Sequence, residues 1–236
     1  MALILLIRHT VTEATGHRLS GTTPGIHLSE RGREQATHLA ERLRGVPLAA
    51  VYASPLERCV ETAGKIAAAR GLDVVATPEV QEVDYGRWTG RSMRQVVRTR
   101  LWRQLQDSPG SITFPGGESL VDVQRRSVRA VEGVAARYPK RVVAVVTHAD
   151  VIRLVLAHFA GIHIDLYQRL IVSPGSITAV LLGDRIPRIL RVNDTGAIAD
   201  VISRLHPPAG RPTAAAAPPP PATDRAAAPA PRMKTC

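Results

Sequence analysis

Two short, wholly apolar runs constrain this chain more than anything else in it. Residues 2–7 (ALILLI) carry no polar side chain, and residues 142–146 (VVAVV) repeat the pattern. A half-buried strand alternates apolar and polar residues, whereas an unbroken apolar run of this length reads as a strand buried on both faces. Each run ends abruptly. The first meets Arg8 and His9; the second passes through Thr147 to His148.

The segments between them alternate in type. Residues 30–44 predict a helix, with Ser29 as N-cap, Ala36, Leu39, Ala40 and Leu43 on one face, and Gly45 as stop. Residues 49–53 predict a strand. Ser54 then reads as the cap of a helix starting at Pro55, with an apolar stripe of Leu56, Cys59, Val60, Ala63 and Ala67 and an end at Gly71. A strand is expected over 72–76. Helices are expected over 91–106 and 118–137, with the loop SPGSITFPGGES between them. A further helix runs from about Asp150 to Phe159 and closes at Gly161. Strands over 176–182 and 188–192 follow, joined by a turn carrying Gly183 and Asp184. This alternation predicts an α/β fold: a three-layer sandwich with a mostly parallel central sheet and helices on both faces. In such sheets ligands bind beyond the carboxyl ends of the strands. Arg8, His9 and His148 fall there, and Arg58 lies one turn into a helix that starts at the end of a third strand.

Composition sets the outer bounds. The chain has 236 residues, 44% of them hydrophobic, which is enough for one sizeable core. Its net charge is +11. After residue 206 the sequence turns to Pro and Ala. Four cations against Asp224 give that stretch +3 and leave +8 for the rest. Residues 1–206 are therefore expected to be the folded domain, and 207–236 a disordered tail without chemistry. No apolar run approaches the roughly 20 residues that span a bilayer, and residues 2–7 lack the flanks of a signal peptide. A cytoplasmic protein without a membrane partner is expected. Two cysteines, Cys59 and Cys236, do not suggest a disulfide framework. The positive charge permits a nucleic-acid partner. With aromatics at 3% and no groove-reading motif, none is expected. Oligomeric state is open, a dimer included.

Two histidines and two arginines at one rim suit few chemistries. Metal binding fits poorly, because the ligand spacings are missing and neighbouring arginines repel a cation. Phosphoryl transfer fits well. An imidazole can attack phosphorus and form a phosphohistidine. The guanidinium forks of Arg8 and Arg58 match phosphate oxygens. His148, if cationic, adds a donor to the charge that builds on the transferring group.

At these residues the chain resembles the histidine phosphatase superfamily, also called phosphoglycerate mutase-like. The ordered blocks are LIRHTVTEATG, HLSERGREQATHLAERL, ASPLERCVETA, EVDYGRWTG, PGGES and VVTHADVIRLVLAHFAG. The resemblance covers residues 3 to 195 and is nearer to the phosphatase branch. It implies that His9 is the phosphorylated nucleophile. It places Arg8, Arg58 and His148 in the phosphate pocket, Glu82 as the acid that protonates the leaving oxygen, and Thr15 where an Asn often contacts phosphate. PGGES would be a substrate-side loop. No metal or cofactor is implied. Thr10 and Ala149 stand where the family has Gly. Either Thr10 takes an ordinary φ or the pocket is slightly rebuilt.

The expected function is a phosphomonoesterase, acid phosphatase-like, acting on a small phosphorylated metabolite through phosphohistidine. The alternatives are a phosphoglycerate-type phosphomutase and a catalytically weak phosphate-binding regulatory module. The substrate is not named by the sequence. The outer wall of its pocket is expected from residues 85–115.

Overall fold

The N-terminal apolar run forms β1 (Ala2–Arg8), buried until it surfaces partly at Arg8. The structure, a computed structural model, describes residues 1–183 and 186–196. After β1 come α1 (Glu30–Arg42), β2 (Leu48–Ala53), α2 (Glu57–Ala68) and β3 (Val74–Ala76). The short helices α3 (Met93–Val96) and α4 (Arg100–Asp107) precede the long α5 (Leu120–Arg137). Then follow β4 (Val142–Thr147), α6 (Ala149–Phe159), β5 (Ile177–Leu182) and β6 (Arg188–Asp194).

The six strands make one sheet in the order β3-β2-β4-β1-β5-β6. The two apolar runs lie side by side at its centre. β1 and β4 pair in parallel with Leu5 opposite Ala144 and Arg8 opposite Thr147. β2 is parallel to both β4 and β3, while β5 runs antiparallel to β1 and to β6. Side chains alternate across the sheet. Leu3, Leu5, Ile7, Ala144 and Val146 pack under α1 and α2. Ile4, Leu6, Val143 and Val145 pack under α5 and α6. This explains why neither run could afford a polar residue: both faces are core, and each buried Leu or Ile contributes roughly 1.5–3 kcal/mol. The three-layer α/β architecture expected from the sequence is thus the observed one.

Several local expectations are corrected. Ser54 does not cap a helix. Its backbone N–H extends the β2–β4 ladder to the Val146 carbonyl at 2.9 Å, and α2 begins only at Glu57, with Leu56 in the cap position. Val60 is 39% exposed, and Ile66 takes its place in the buried stripe. The helix expected over 91–106 breaks in two. The Thr99 hydroxyl accepts the Trp102 N–H at 3.1 Å and restarts the helix as a local cap. The expectations for Asp184 and for 207–236 fall outside the described residues.

One glycine explains how α1 reaches the end of β1. A Cβ on Gly32 would stand 1.9 Å from the Val11 carbonyl oxygen. The Gly32 carbonyl in turn accepts the Thr10 hydroxyl at 2.8 Å. Gly32→Ala should therefore lower stability although Ala favours helix, because the clash with backbone outweighs a propensity gain of ~1 kcal/mol. A melting temperature lower by roughly 3–10 °C is expected by calorimetry. An unchanged or higher value would show that α1 can shift without cost.

Candidate active site

Parallel pairing delivers the site residues to one rim. The His9 N–H continues the ladder to the Thr147 carbonyl at 2.9 Å, and His148 is the N-cap residue of α6. The two imidazoles stand 5.3 Å apart, centroid to centroid. Arg58, in the first turn of α2, is 1% exposed. One Arg58 terminal nitrogen donates to the Gly21 carbonyl at 2.8 Å; the other is buried without a protein partner. Arg8 donates to the Val172 carbonyl at 2.7 Å, and its Nε is likewise buried and unpartnered. Leaving a buried charged donor unsatisfied costs more than the ~1–3 kcal/mol of a neutral one. Two such donors beside one cleft are what an anion site requires.

The electrostatics follow from burial. The His9 pKa is pushed down to about 3, first by burial and then by the Arg58 and Arg8 charges, which outweigh the Thr10 bond. Its Nδ1 lies 2.8 Å from the Thr10 carbonyl oxygen. A carbonyl can only accept, so Nδ1 carries the proton and Nε2 keeps its lone pair. His148 is fully buried, and burial, then Arg58 and His9, hold its pKa well below the usual value. The cationic form considered from the sequence is therefore not its resting state, and it has one N–H to give. Its Nε2 lies 2.8 Å from the Ser54 hydroxyl and its Nδ1 3.8 Å from Glu82 Oε2. Ser54, misread as a cap, is thus the partner that orients His148.

Glu82 has the opposite shift. Burial, then the Asp150 charge, raise it to about 7 against the pull of Arg58 and Arg8 and the bond from the Val83 N–H. Its segment is irregular and is held from α5. The Arg126 guanidinium donates to the carbonyls of Glu79, Gln81 and Glu82 at 2.7, 2.9 and 3.2 Å. It also grips Glu118 with two bonds of 2.8 Å. The carboxylate of Glu118 accepts the Asp84 N–H at 3.0 Å. Backbone meets backbone here: a Cβ on Gly117 would lie 2.2 Å from the Asp84 carbonyl oxygen. The PGGES loop, implied to face substrate, instead buttresses the strand of chain that carries Glu82.

These groups line a cleft of about 390 Å³ whose walls include Arg8, His9, Thr15, Arg58, Glu82 and Asp150. His148 sits behind the wall. Asp84 turns away, its carboxylate accepting the Gly86 N–H at 2.9 Å. The Thr15 hydroxyl accepts the Thr12 N–H at 2.9 Å, so part of its bonding capacity closes its own loop. Thr10 points into the core, and among the described residues only Lys140 and Asn193 combine a side chain with positive φ. Both Thr10 and Ala149 therefore replace glycine without strain. Sequence reasoning missed Arg153 and reached Tyr85 only as part of the outer wall expected over 85–115. The Tyr85 hydroxyl donates to Asp150 at 2.7 Å and Arg153 donates to the same carboxylate at 2.9 Å. The one available signal was the i, i+3 spacing of Asp150 and Arg153 just beyond His148.

Residues 4–195 match the model of the histidine phosphatase superfamily (branch 1). The chain belongs to the histidine phosphatase superfamily. Phosphoserine phosphatase 1 of Hydrogenobacter thermophilus is 30% identical over 210 residues, which cover 87% of this chain and 99% of that protein. Among solved structures, Bacillus stearothermophilus YhfR superposes with a TM-score of 0.78 at 25% identity, covering 83% of this chain and 98% of that one. A mycobacterial glucosyl-3-phosphoglycerate phosphatase superposes at 0.73 with 26% identity, covering 81% and 98%. Superfamily membership and these likenesses support a phosphatase. Among the described residues, no helix is long and apolar enough to cross a membrane.

The clamp on the Glu82 segment yields a stability test. Burial alone would raise the Glu118 pKa, but the bonds from Arg126 and Asp84 outweigh it and the net is lowered. A carboxylate with a depressed folded pKa stabilises the fold above its ordinary value of 4.5, and that contribution fades as pH falls through the folded pKa. Arg126→Leu should cost roughly 2–4 kcal/mol at pH 7, since it strands three carbonyls and a partly buried carboxylate. The melting-temperature gap to wild type should narrow below pH ~4. A gap under 2 °C at pH 7, or one that widens in acid, would contradict this account of the clamp.

Proposed function

We propose that the protein is a phosphomonoesterase that hydrolyses a small phosphorylated metabolite in the cytosol through a phosphohistidine. The reading rests on one juxtaposition: two unpartnered buried guanidinium donors beside an imidazole whose Nε2 lone pair is free. Arg8 and Arg58 would hold the phosphoryl oxygens, with Thr15 as a lesser donor. The Nε2 of His9 attacks phosphorus while the P–O bond to the leaving group breaks. The Nδ1–H bond to Thr10 holds the ring in the tautomer that the attack needs. Glu82, protonated near neutrality, gives its proton to the departing oxygen. His148, behind the wall with Ser54 fixing its ring, would present its single N–H toward the transferring group from the second layer. In the second half, ionised Glu82 takes a proton from water. That water attacks phosphorus, the N–P bond breaks, and phosphate leaves. The site returns with His9 neutral and Glu82 protonated. Each step uses side chains alone, so neither metal nor cofactor enters the proposal.

The pH dependence follows from the two shifts. His9 is neutral above about 3 and Glu82 is protonated below about 7. The rate should rise through the first value and fall through the second, giving best activity on the acidic side of neutrality. His9→Ala should abolish turnover and the acid-labile phosphoenzyme without unfolding the chain. A variant that keeps a tenth of wild-type activity would refute the phosphohistidine route. Glu82→Gln should slow alkyl phosphates by ~100-fold or more, the scale of a positioned acid. It should slow p-nitrophenyl phosphate far less, because nitrophenolate leaves without a proton. Equal losses would remove Glu82 from that role. Two assays separate the alternatives. A mutase would isomerise a phosphoglycerate, given its bisphosphate primer, faster than it releases phosphate. An inert binding module would trap no labelled phosphate.

A further inference from the structure

Beside the phosphate cleft lies a second cavity that shares lining residues with it, and the make-up of that second lobe points to a substrate class. The chain has eight aromatic residues: two Trp, two Phe and four Tyr. Five of them, Tyr85, Trp88, Trp102, Phe114 and Tyr167, line this one cavity of about 300 Å³. Four of the rings form a connected wall. Tyr85 meets Phe114 edge-to-face at 5.0 Å, Trp88 lies 5.6 Å from Phe114, and Trp102 lies 6.5 Å from Trp88. Tyr85 lines both lobes, as do Asp150 and Arg153, so an ester seated with its phosphate on Arg8 and Arg58 extends its alcohol portion toward these rings.

The lobe carries little to greet a charged alcohol. Asp150 and Arg153 are its charged lining residues, and they are bonded to each other. Arg153 also donates to the Leu170 carbonyl at 2.9 Å, and the Tyr85 hydroxyl is taken up by Asp150. Arg18 lines the phosphate lobe and not this one. A zwitterionic or carboxylated alcohol would lose hydration here and would have to share Arg153 with Asp150 and the Leu170 carbonyl. A flat apolar ring would gain burial and offset stacking. Gln106 and Gln168 among the lining residues add neutral amides for a polar ring edge.

We infer that the preferred substrates are phosphomonoesters whose alcohol carries a flat aromatic or heteroaromatic group, seated against Trp88 and Trp102. The inference rests on the phosphatase reading above and narrows it to a leaving-group class. The test compares 2-phenylethyl phosphate with O-phosphoserine and 3-phosphoglycerate, all of which release a primary alcohol that needs the proton from Glu82. 2-Phenylethanol is the least acidic of the three alcohols, so leaving-group acidity cannot produce a preference for its ester. Phosphate release from 2-phenylethyl phosphate should exceed that from the other two by about 30-fold in kcat/KM, the worth of burying one ring. Trp102→Ala should cut the preference ~5-fold or more, chiefly through KM for the aromatic ester. Trp102→Leu, which keeps apolar volume at this partly exposed position, guards against loss of fold and should fall between. Phosphate release with phosphoserine equal or preferred would overturn the inference while leaving the phosphatase reading intact. So would an aromatic preference that both Trp102 variants leave untouched. No phosphate released from any ester would instead overturn the phosphatase reading itself.

Discussion

The parallel pairing of β1 with β4 is the constraint on which the rest of the structure depends. With Arg8 opposite Thr147, the next residue of each strand is a histidine, and the two imidazoles must emerge side by side. A slip of one residue would turn every side chain of β1 to the other face and carry Arg8 and His9 out of step with His148. Register is protected because both faces of both strands are core. No apolar residue in either run can move without leaving one layer underfilled. The precision of the site is therefore inherited from packing that has no chemistry of its own.

Around that fixed pair, burial sets the protonation states. Two arginines and two histidines share one small volume, and like charges so close would repel strongly in a low dielectric. Burial and the guanidinium charges push both imidazoles to the neutral form, which relieves the conflict and frees the His9 lone pair. Glu82 faces the reverse balance. Its ionised form would be stabilised by Arg8 and Arg58, yet burial and Asp150 prevail. Asp150 in turn is kept in place by Tyr85 and Arg153. After burial, that second carboxylate does most to hold Glu82 protonated beside two cations, which makes the Asp150 trio part of the Glu82 environment.

Legibility in the sequence tracked how local the controlling interaction was. β1 and β4 were readable because a run buried on both faces leaves an unbroken apolar signature. Arg8, His9 and His148 were readable because they adjoin those runs, and Arg58 because its helix starts at the next strand end. Ser54 was misread, since Ser-Pro ahead of an apolar stripe is the local signature of a cap. Its true partner is 94 residues away. The helix over 91–106 was overextended because its periodicity survives the break that the Thr99 hydroxyl makes. The support of Glu82 was invisible, because Arg126 lies 44 residues beyond and acts on backbone carbonyls, which leave no trace in side-chain pattern. The outer wall expected from residues 85–115 holds four of the five rings, but their gathering with Tyr167 was not legible, because the rings look sparse until the fold brings them together.

The unpartnered nitrogens of Arg8 and Arg58 tie the site to the stability of the whole. A fold selected for stability alone would satisfy or replace two buried guanidinium donors, and apolar substitutes for buried charges are often neutral or stabilising. Here both arginines line the cleft and are anchored on one side by a backbone carbonyl, Val172 for Arg8 and Gly21 for Arg58, while another donor of each stays buried and unpartnered. An anion that binds the folded chain alone, and supplies the missing acceptors, adds RT ln(1 + [L]/Kd) to its stability. The free energy stored in the unsatisfied donors would be recovered on binding such an anion. The same donors that make the empty cleft costly are what would make it selective for a phosphoryl group.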